Sequence, residues 1–321
     1  MPITRRNVLG AAAGLSIAAT ARAQTTPPPP IQWPPAEHFP LWPGKAPGSP
    51  ATLPVPHNER NGYRGEELWL RGIDRPIVGV YRPASPDGRA VLVIPGGGYG
   101  FVSVSNEGID VAATLTPHGV TVFVLAYRLP GDGWSDRAQV PLQDAQRAMR
   151  LIRANAAKWR IDPTKLGVLG FSAGGHLAAD LSVAHDERVY APIDAADTQP
   201  ARPAYAGLVY AVVSFASAGL NSRSAAMLLG DNPDPALTAR RTPLDRVTAA
   251  MPPVFLLHAM DDGTVPIQQS LAMIDACRRA KVPVEAHLLE SGGHGFGAMH
   301  LPADAPGRLW PEIFARWNAK H

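Results

Sequence analysis

Leu166-Gly-Val-Leu-Gly-Phe-Ser-Ala-Gly-Gly-His-Leu-Ala-Ala-Asp180 decides the fold of this chain. Its first third is a short apolar run and its last third favours helix. Between them, Gly170-Phe171-Ser172-Ala173-Gly174 fits the G-x-S-x-G nucleophile elbow. Such a turn strains the serine backbone and lifts the hydroxyl clear of a sheet edge. The two glycines keep Cβ atoms out of the place where strand and helix nearly touch. The helix that follows points backbone N–H groups, and the positive end of its dipole, at an oxyanion. The pentapeptide alone is a weak signal. Flanked by an apolar strand and a helix-forming run, it is a strong one.

Working outward, strands and helices alternate. Ala90–Ile94 is a continuous apolar run, suited to a strand buried on both faces. Val120–Ala126, Leu166–Leu169, Gly207–Val213, Pro253–His258 and Val284–Leu289 read as further strands. Glu67–Arg71 and Ile77–Arg82 read as an opening antiparallel pair. Helices are expected at Ile109–Thr116, Gln139–Trp159, Ile267–Arg279 and Arg308–Ala319, the second with Leu142, Ala145, Met149 and Ile152 on one stripe. Eight strands joined mostly through helices predict an α/β fold: a mostly parallel eight-stranded sheet flanked by helices, with one catalytic crest. His185–Ala204 and Ser214–Met251 fall outside the alternation. The second is a candidate cap over the site, the alternative being a surface excursion.

A serine hydroxyl is a poor nucleophile until a base takes its proton, and the base is best a histidine oriented by a carboxylate. The last two strands each run into a suitable loop. After His258 comes Ala-Met-Asp261-Asp262-Gly-Thr-Val265-Pro266, and after Leu289 comes Glu290-Ser-Gly-Gly-His294-Gly-Phe-Gly297. Four glycines around His294 let its imidazole reach over the crest, so His294 is the expected base. Asp261 and Asp262 cannot both point at it. Asp262 is preferred because Asp-x-x-Val-Pro sets its carboxylate at the turn while Val265 anchors the loop; Asp261 is then a loop or helix-cap residue. His176, one helical turn past Ser172, reads as polar packing beneath the elbow, and His258 and His300 as structural. The oxyanion hole needs two or more N–H donors. Ala173 supplies one, and Gly97 and Gly98 of Pro95-Gly96-Gly97-Gly98-Tyr99-Gly100 are nominated for the rest. That loop lacks a phosphate-binding signature, having neither Gly-Lys-Ser/Thr nor G-x-G-x-x-G. Tyr99, Phe101 and Trp134 are candidates to stack on a sugar.

The N-terminus reads as a targeting segment. Thr4-Arg5-Arg6-Asn7-Val8-Leu9 is a twin-arginine pattern, a weakly apolar run follows to Ala19, and Ala21-Arg22-Ala23 offers a small-x-small cleavage site. The run is too short to span a bilayer, so no stable membrane insertion is expected. Cleavage after Ala23 and a periplasmic or secreted location follow. The proline-rich stretch to Pro56 cannot form helix or inner strand. Residues 24–64 are therefore read as an arm on the surface, with Trp33, Phe39 and Trp42 as anchors, and 65–321 as the catalytic domain. Arg5, Arg6 and Arg22 are three of the 30 basic residues, so the chain after Ala23 carries 27 against 27 acidic ones. Formal neutrality gives no support for nucleic-acid binding. A single cysteine, Cys277, excludes an internal disulfide and reads as a core residue. No metal or organic cofactor is implied.

These blocks together resemble an α/β-hydrolase esterase of the acetylxylan esterase and feruloyl/acetyl-xylan esterase type. The resemblance rests on Ile94–Gly100 with Asn106-Glu107-Gly108, on Val122–Leu129, on Leu166–Ala179, and on Pro252–Pro266 with Gly292–Gly297. It implies the α/β-hydrolase fold, a Ser172–Asp262–His294 triad, and oxyanion donors at Gly97, Gly98 and Ala173. It also implies hydrolysis of carboxylic esters, with short acyl groups on a small molecule, oligosaccharide or polysaccharide such as acetylated xylan as substrate. The loop opens with Pro95 where lipases often carry histidine. By the same resemblance Glu107 and Arg128 could pair beneath the oxyanion loop, the alternative being two solvated charges. Competing readings fit less well. A prolyl-peptidase-like enzyme would carry a propeller for which residues 24–64 are too few. A non-catalytic relative would lack a triad member, and a dehalogenase would have Asp in place of Ser172.

Overall fold

In the computed structural model, which describes residues 32–62, 65–215 and 223–321, the apolar runs become the inner strands of one sheet. The targeting segment, the first residues of the arm and part of the candidate cap lie outside the described residues. The strands are β1 (His38–Pro40), β2 (His57–Asn61), β3 (Glu67–Arg71), β4 (Ile77–Tyr81), β5 (Ala90–Ile94), β6 (Val102–Ser103), β7 (Thr121–Ala126), β8 (Leu166–Phe171), β9 (Ala206–Val209), β10 (Val254–Ala259) and β11 (Val284–Leu289). The large sheet runs β1-β4-β7-β5-β8-β9-β10-β11. From β7 to β11 every pairing is parallel, and β4 and β1 close one edge antiparallel. Every residue of β5, β7, β8 and β10 is buried, as a sheet covered on both faces requires.

The helices are α1 (Asp110–Leu115), α2 (Val140–Ala154), α3 (Ala156–Trp159), α4 (Ser172–Val183), α5 (Arg223–Leu229), α6 (Pro235–Arg240), α7 (Gln268–Ala280) and α8 (Trp310–Trp317). The helix expected over Gln139–Trp159 is divided at Asn155, whose backbone leaves the helical region and whose side-chain amide caps Leu151 O at 2.9 Å. The strand expected over Gly207–Val213 stops at Val209: Tyr210 still donates its N–H to Leu257 O at 2.7 Å, but its φ of +37° turns the chain out of the ladder beyond that bond.

The large sheet has eight strands, as expected, but one member differs. Glu67–Arg71 does not pair with Ile77–Tyr81. It lies between β2 and β6 in a separate three-stranded antiparallel sheet, burying only Leu68 and Leu70. The vacant edge is taken by β1 from the proline-rich stretch, in register His38↔Gly79. Proline is compatible with an edge strand, where one side needs no donor. Gly79 makes the close approach possible: a Cβ there would meet the rings of Trp33 and Pro35 at 2.9 Å. Phe39 stacks on Trp159 with centroids 5.2 Å apart, and buried Trp42 donates its indole N–H to Asp144 at 2.8 Å. No helix among the described residues is long and apolar enough to cross a membrane.

Candidate active site

The loops after β5, β8, β10 and β11 converge at the carboxyl ends of their strands, where an open α/β sheet offers a crevice. Ser172 is the first residue of α4 and holds φ +52°, a conformation costly for a residue with a Cβ. The elbow has no slack around it. A Cβ at Gly170 would be driven into Gly174 O, and one at Gly174 into the carbonyl oxygens of Ile94 and Pro95. Because those neighbours are backbone, Gly174→Ala is expected to destabilise the fold by about 3 kcal/mol. The thermal midpoint should fall by roughly 6 °C or more. Gly44→Ala, where a Cβ meets nothing within 4 Å, is the matched control. Equal midpoints for the two variants would show that the elbow can relax.

His294 Nε2 stands 2.9 Å from Ser172 Oγ, and His294 Nδ1 stands 2.7 Å from Asp262 Oδ2. The other Asp262 oxygen accepts the N–H groups of Thr264 and Val265, both at 2.8 Å. Burial by itself would raise the Asp262 carboxyl. The hydrogen bonds from His258, His294 and Val265 N–H, with the charge of His294, outweigh it and hold the group well below the ordinary carboxylate range. Asp262 is therefore an ionised acceptor, which assigns a proton to Nδ1 of His294 and leaves Nε2 free to accept one from Ser172. Asp261 faces elsewhere, and its carboxylate accepts Gly292 N and Gly293 N at 2.9 and 2.8 Å, bracing the loop that carries His294.

Gly97 and Gly98, at φ +124° and +61°, line the cleft beside Ser172. Among the described residues neither N–H finds an acceptor. Ala173 is buried in the first turn of α4, whose N–H groups have no intrahelical partner. The cleft encloses about 670 Å³, ample for a sugar ester. Phe101 lines it, stacked on Trp69 at 3.8 Å. The candidate cap reaches its mouth through Arg223 and Ser224.

Two of the three expected sugar-stacking residues lie elsewhere. Tyr99 is wholly buried at φ +60° and its hydroxyl meets His176 Nδ1 at 2.7 Å. Trp134 is buried under the Arg128 guanidinium, 4.9 Å from its ring centre. Glu107 and Arg128 do not pair. Arg128 is bound to Asp144, with both side chains fully buried, and to Gln143 and Pro47 O. Glu107 instead accepts Gly96 N and the Tyr210 hydroxyl. His176 bridges Tyr99 and Arg241 O beneath the elbow.

Sequence reasoning passed over His258 as structural. Its Nε2 faces two acceptors, Val265 O at 2.9 Å and Asp262 Oδ2 at 3.1 Å, so that nitrogen carries the proton. Nδ1 lies 2.8 Å from Ser270 Oγ. His258 thus holds Asp262 from behind, and its position four residues before Asp262 was the available signal.

A mostly parallel eight-stranded sheet with Ser172, Asp262 and His294 just after β8, β10 and β11, in that chain order, is the α/β-hydrolase fold. The chain belongs to the BD-FAE family, whose model matches residues 78–276. It is 32% identical over 221 residues to an acetylxylan esterase of Xylanibacter ruminicola, covering 68% of this chain and 43% of that one. It is 34% identical over 205 residues to endo-1,4-beta-xylanase B of Butyrivibrio fibrisolvens, covering 64% and 32%. This chain thus spans less than half the length of either relative. The crystal structure of an acetyl ester-xyloside bifunctional hydrolase from Caldicellulosiruptor lactoaceticus superposes with a TM-score of 0.72 at 31% identity, covering 88% of this chain and 96% of that one.

Proposed function

We propose that the protein hydrolyses carboxylic esters through an acyl-enzyme, with short acyl groups, acetyl first, on carbohydrates such as acetylated xylan as substrates. The observation that carries this is the unbroken chain Ser172 Oγ, His294 Nε2, His294 Nδ1, Asp262 Oδ2 beside the open N–H groups of Gly97 and Gly98. The names of the similar acetylxylan esterase and acetyl ester-xyloside hydrolase support the acetyl and xylose parts of the reading.

In this mechanism Ser172 Oγ attacks the ester carbonyl carbon while its proton passes to His294 Nε2. The carbonyl oxygen, now negative, accepts N–H donors from Gly97, Gly98 and Ala173. Collapse breaks the carbon–oxygen bond to the alcohol, which leaves with the proton from His294. Water then gives a proton to His294 and attacks the acyl carbon, and collapse breaks the bond to Ser172 Oγ, which takes that proton back from His294 as acetate leaves. Asp262 holds the imidazole through both steps and balances its positive charge. Measuring acetate released from acetylated xylan and from a small aryl acetate tests the assignment, with Ser172→Ala as control. Release from both, lost in the variant, is expected. Release from the aryl ester alone would discard xylan, and release from neither would discard the reading.

The same reading places the work outside the cytoplasm, where polymeric substrates lie. Arg5-Arg6 and the Ala21-Arg22-Ala23 site support export. Intact-mass measurement of exported protein should give a chain beginning at Gln24. A mass that retains residues 1–23 would remove the cleavage assignment.

A further inference from the structure

Glu107 is a buried carboxylate that the mechanism above does not use. It sits in a short π-helical turn, Ser105–Ile109, inserted ahead of α1, and such turns concentrate at functional sites. Burying a carboxylate without a cation is costly. Arg128, the expected partner, is committed to Asp144, and Glu107 is met by hydrogen-bond donors. Oε2 accepts Gly96 N at 2.7 Å, the residue immediately before the nominated donors Gly97 and Gly98. Oε1 accepts the Tyr210 hydroxyl at 2.8 Å, and that same hydroxyl accepts Gly297 N at 3.0 Å, in the loop that carries His294.

The directions are consistent only one way. Backbone N–H groups can only donate, so Gly297 N donates to the Tyr210 oxygen and Tyr210 donates onward to Glu107. Burial raises the Glu107 carboxyl, while the Tyr210 hydroxyl, Gly96 N–H and the charge of His294 oppose that rise. Tyr210 is itself held at φ +37°, and its ring lies 4.8 Å from the His294 ring. The neighbouring Asn106 adds a second tie, donating Nδ2–H to Gly295 O at 2.8 Å.

We propose that Glu107 is a positioning residue that ties the oxyanion loop to the base loop, with the Tyr210 hydroxyl as the link between them. This rests on the ester-hydrolase reading and deepens it. The oxyanion donors and His294 act on opposite ends of one transition state, so their separation matters to a fraction of an ångström. A misplacement near 1 Å costs about 100-fold in rate. Glu107 lines the same cleft as Ser172 and fixes that separation through its hydrogen bonds to Gly96 N and the Tyr210 hydroxyl.

The test compares the wild type with Glu107→Gln, Tyr210→Phe and the double variant, by steady-state hydrolysis of a small aryl acetate and by thermal midpoint. Each single change is expected to lower kcat about 10- to 100-fold while KM stays within about 2-fold, because the tie acts on geometry needed in the transition state. The double variant should fall little further than the worse single one, since both cut the same link. Tyr210→Phe keeps the ring and carries the test if Glu107→Gln does not fold. Losses that multiply, a kcat within about 3-fold of wild type, or a rise in KM equal to the loss in kcat/KM would each overturn the inference. A wild type that turns over no ester would overturn the ester reading and this inference with it. An active wild type with unaffected variants would overturn only the inference.

Discussion

Ser172→Ala is expected to lower kcat by about 10⁶-fold while leaving the fold intact, the size of loss that follows removal of a nucleophile from a serine triad. The substitution is clean for a structural reason. Ser172 occupies φ +52°, and alanine carries the same Cβ into that conformation, so no new strain is added. What disappears is Oγ and its 2.9 Å contact with His294 Nε2, a hydrogen bond contributing about 1 kcal/mol to stability. Circular dichroism should therefore match the wild type and the thermal midpoint stay within about 4 °C of it, while turnover vanishes. The oxyanion donors remain, so hydrolysis somewhat above the uncatalysed rate should persist. Variant activity within 100-fold of wild type would mean that another group carries the attack, and the acyl-enzyme mechanism would fall.

The elbow was legible because it compresses its geometry into five consecutive residues. Gly170 answers to Gly174 O four residues on, and Gly174 to the carbonyl oxygens of Ile94 and Pro95 at the end of the adjoining strand, but both demands fall within one short motif that the sequence displays. The loops bearing Asp262 and His294 were legible for a different reason. In a parallel sheet every crossing returns the chain to the same crest, so a turn after the last two strands must arrive beside the elbow.

What escaped was decided by contacts between residues far apart in the chain. β1 takes its place because Trp33 and Pro35 fit over Gly79, a match that no local periodicity records. β3 and β4 look alike as short apolar alternations, and nothing local says that they belong to different sheets. Tyr99 sits within the oxyanion loop and so looked available to a sugar. Its positive φ turns the ring inward onto His176 instead. The partners of Glu107 and Arg128 were misread because charge suggests a cation for every carboxylate, whereas Glu107 is met by an N–H and a hydroxyl from two distant segments.

Asp262→Asn is expected to lower kcat by about 10⁴-fold, against a change of only a few-fold for Asp261→Asn. The two carboxylates are adjacent and differ in what they accept. Asp261 takes two backbone N–H groups on one oxygen, from Gly292 and Gly293, and an amide oxygen can do the same. Asp262 has both oxygens engaged. Oδ1 holds Thr264 N and Val265 N, while Oδ2 takes His294 Nδ1–H at 2.7 Å and His258 Nε2–H at 3.1 Å. In the Asn variant the two backbone donors claim the amide oxygen, and the NH₂ is turned towards the two histidines. His294 can then satisfy that NH₂ only as the tautomer with Nδ1 bare and the proton on Nε2. In that form it cannot take the proton of Ser172. The nucleophile, the oxyanion donors and the cleft would all be in place, and only the proton would sit on the wrong nitrogen. KM should therefore change little, and the loss should appear in kcat. Side-by-side kinetics of the two variants on an aryl acetate decide it. A larger loss in Asp261→Asn would move the role of orienting His294 to the neighbouring carboxylate, and equal small losses would remove the carboxylate from the mechanism.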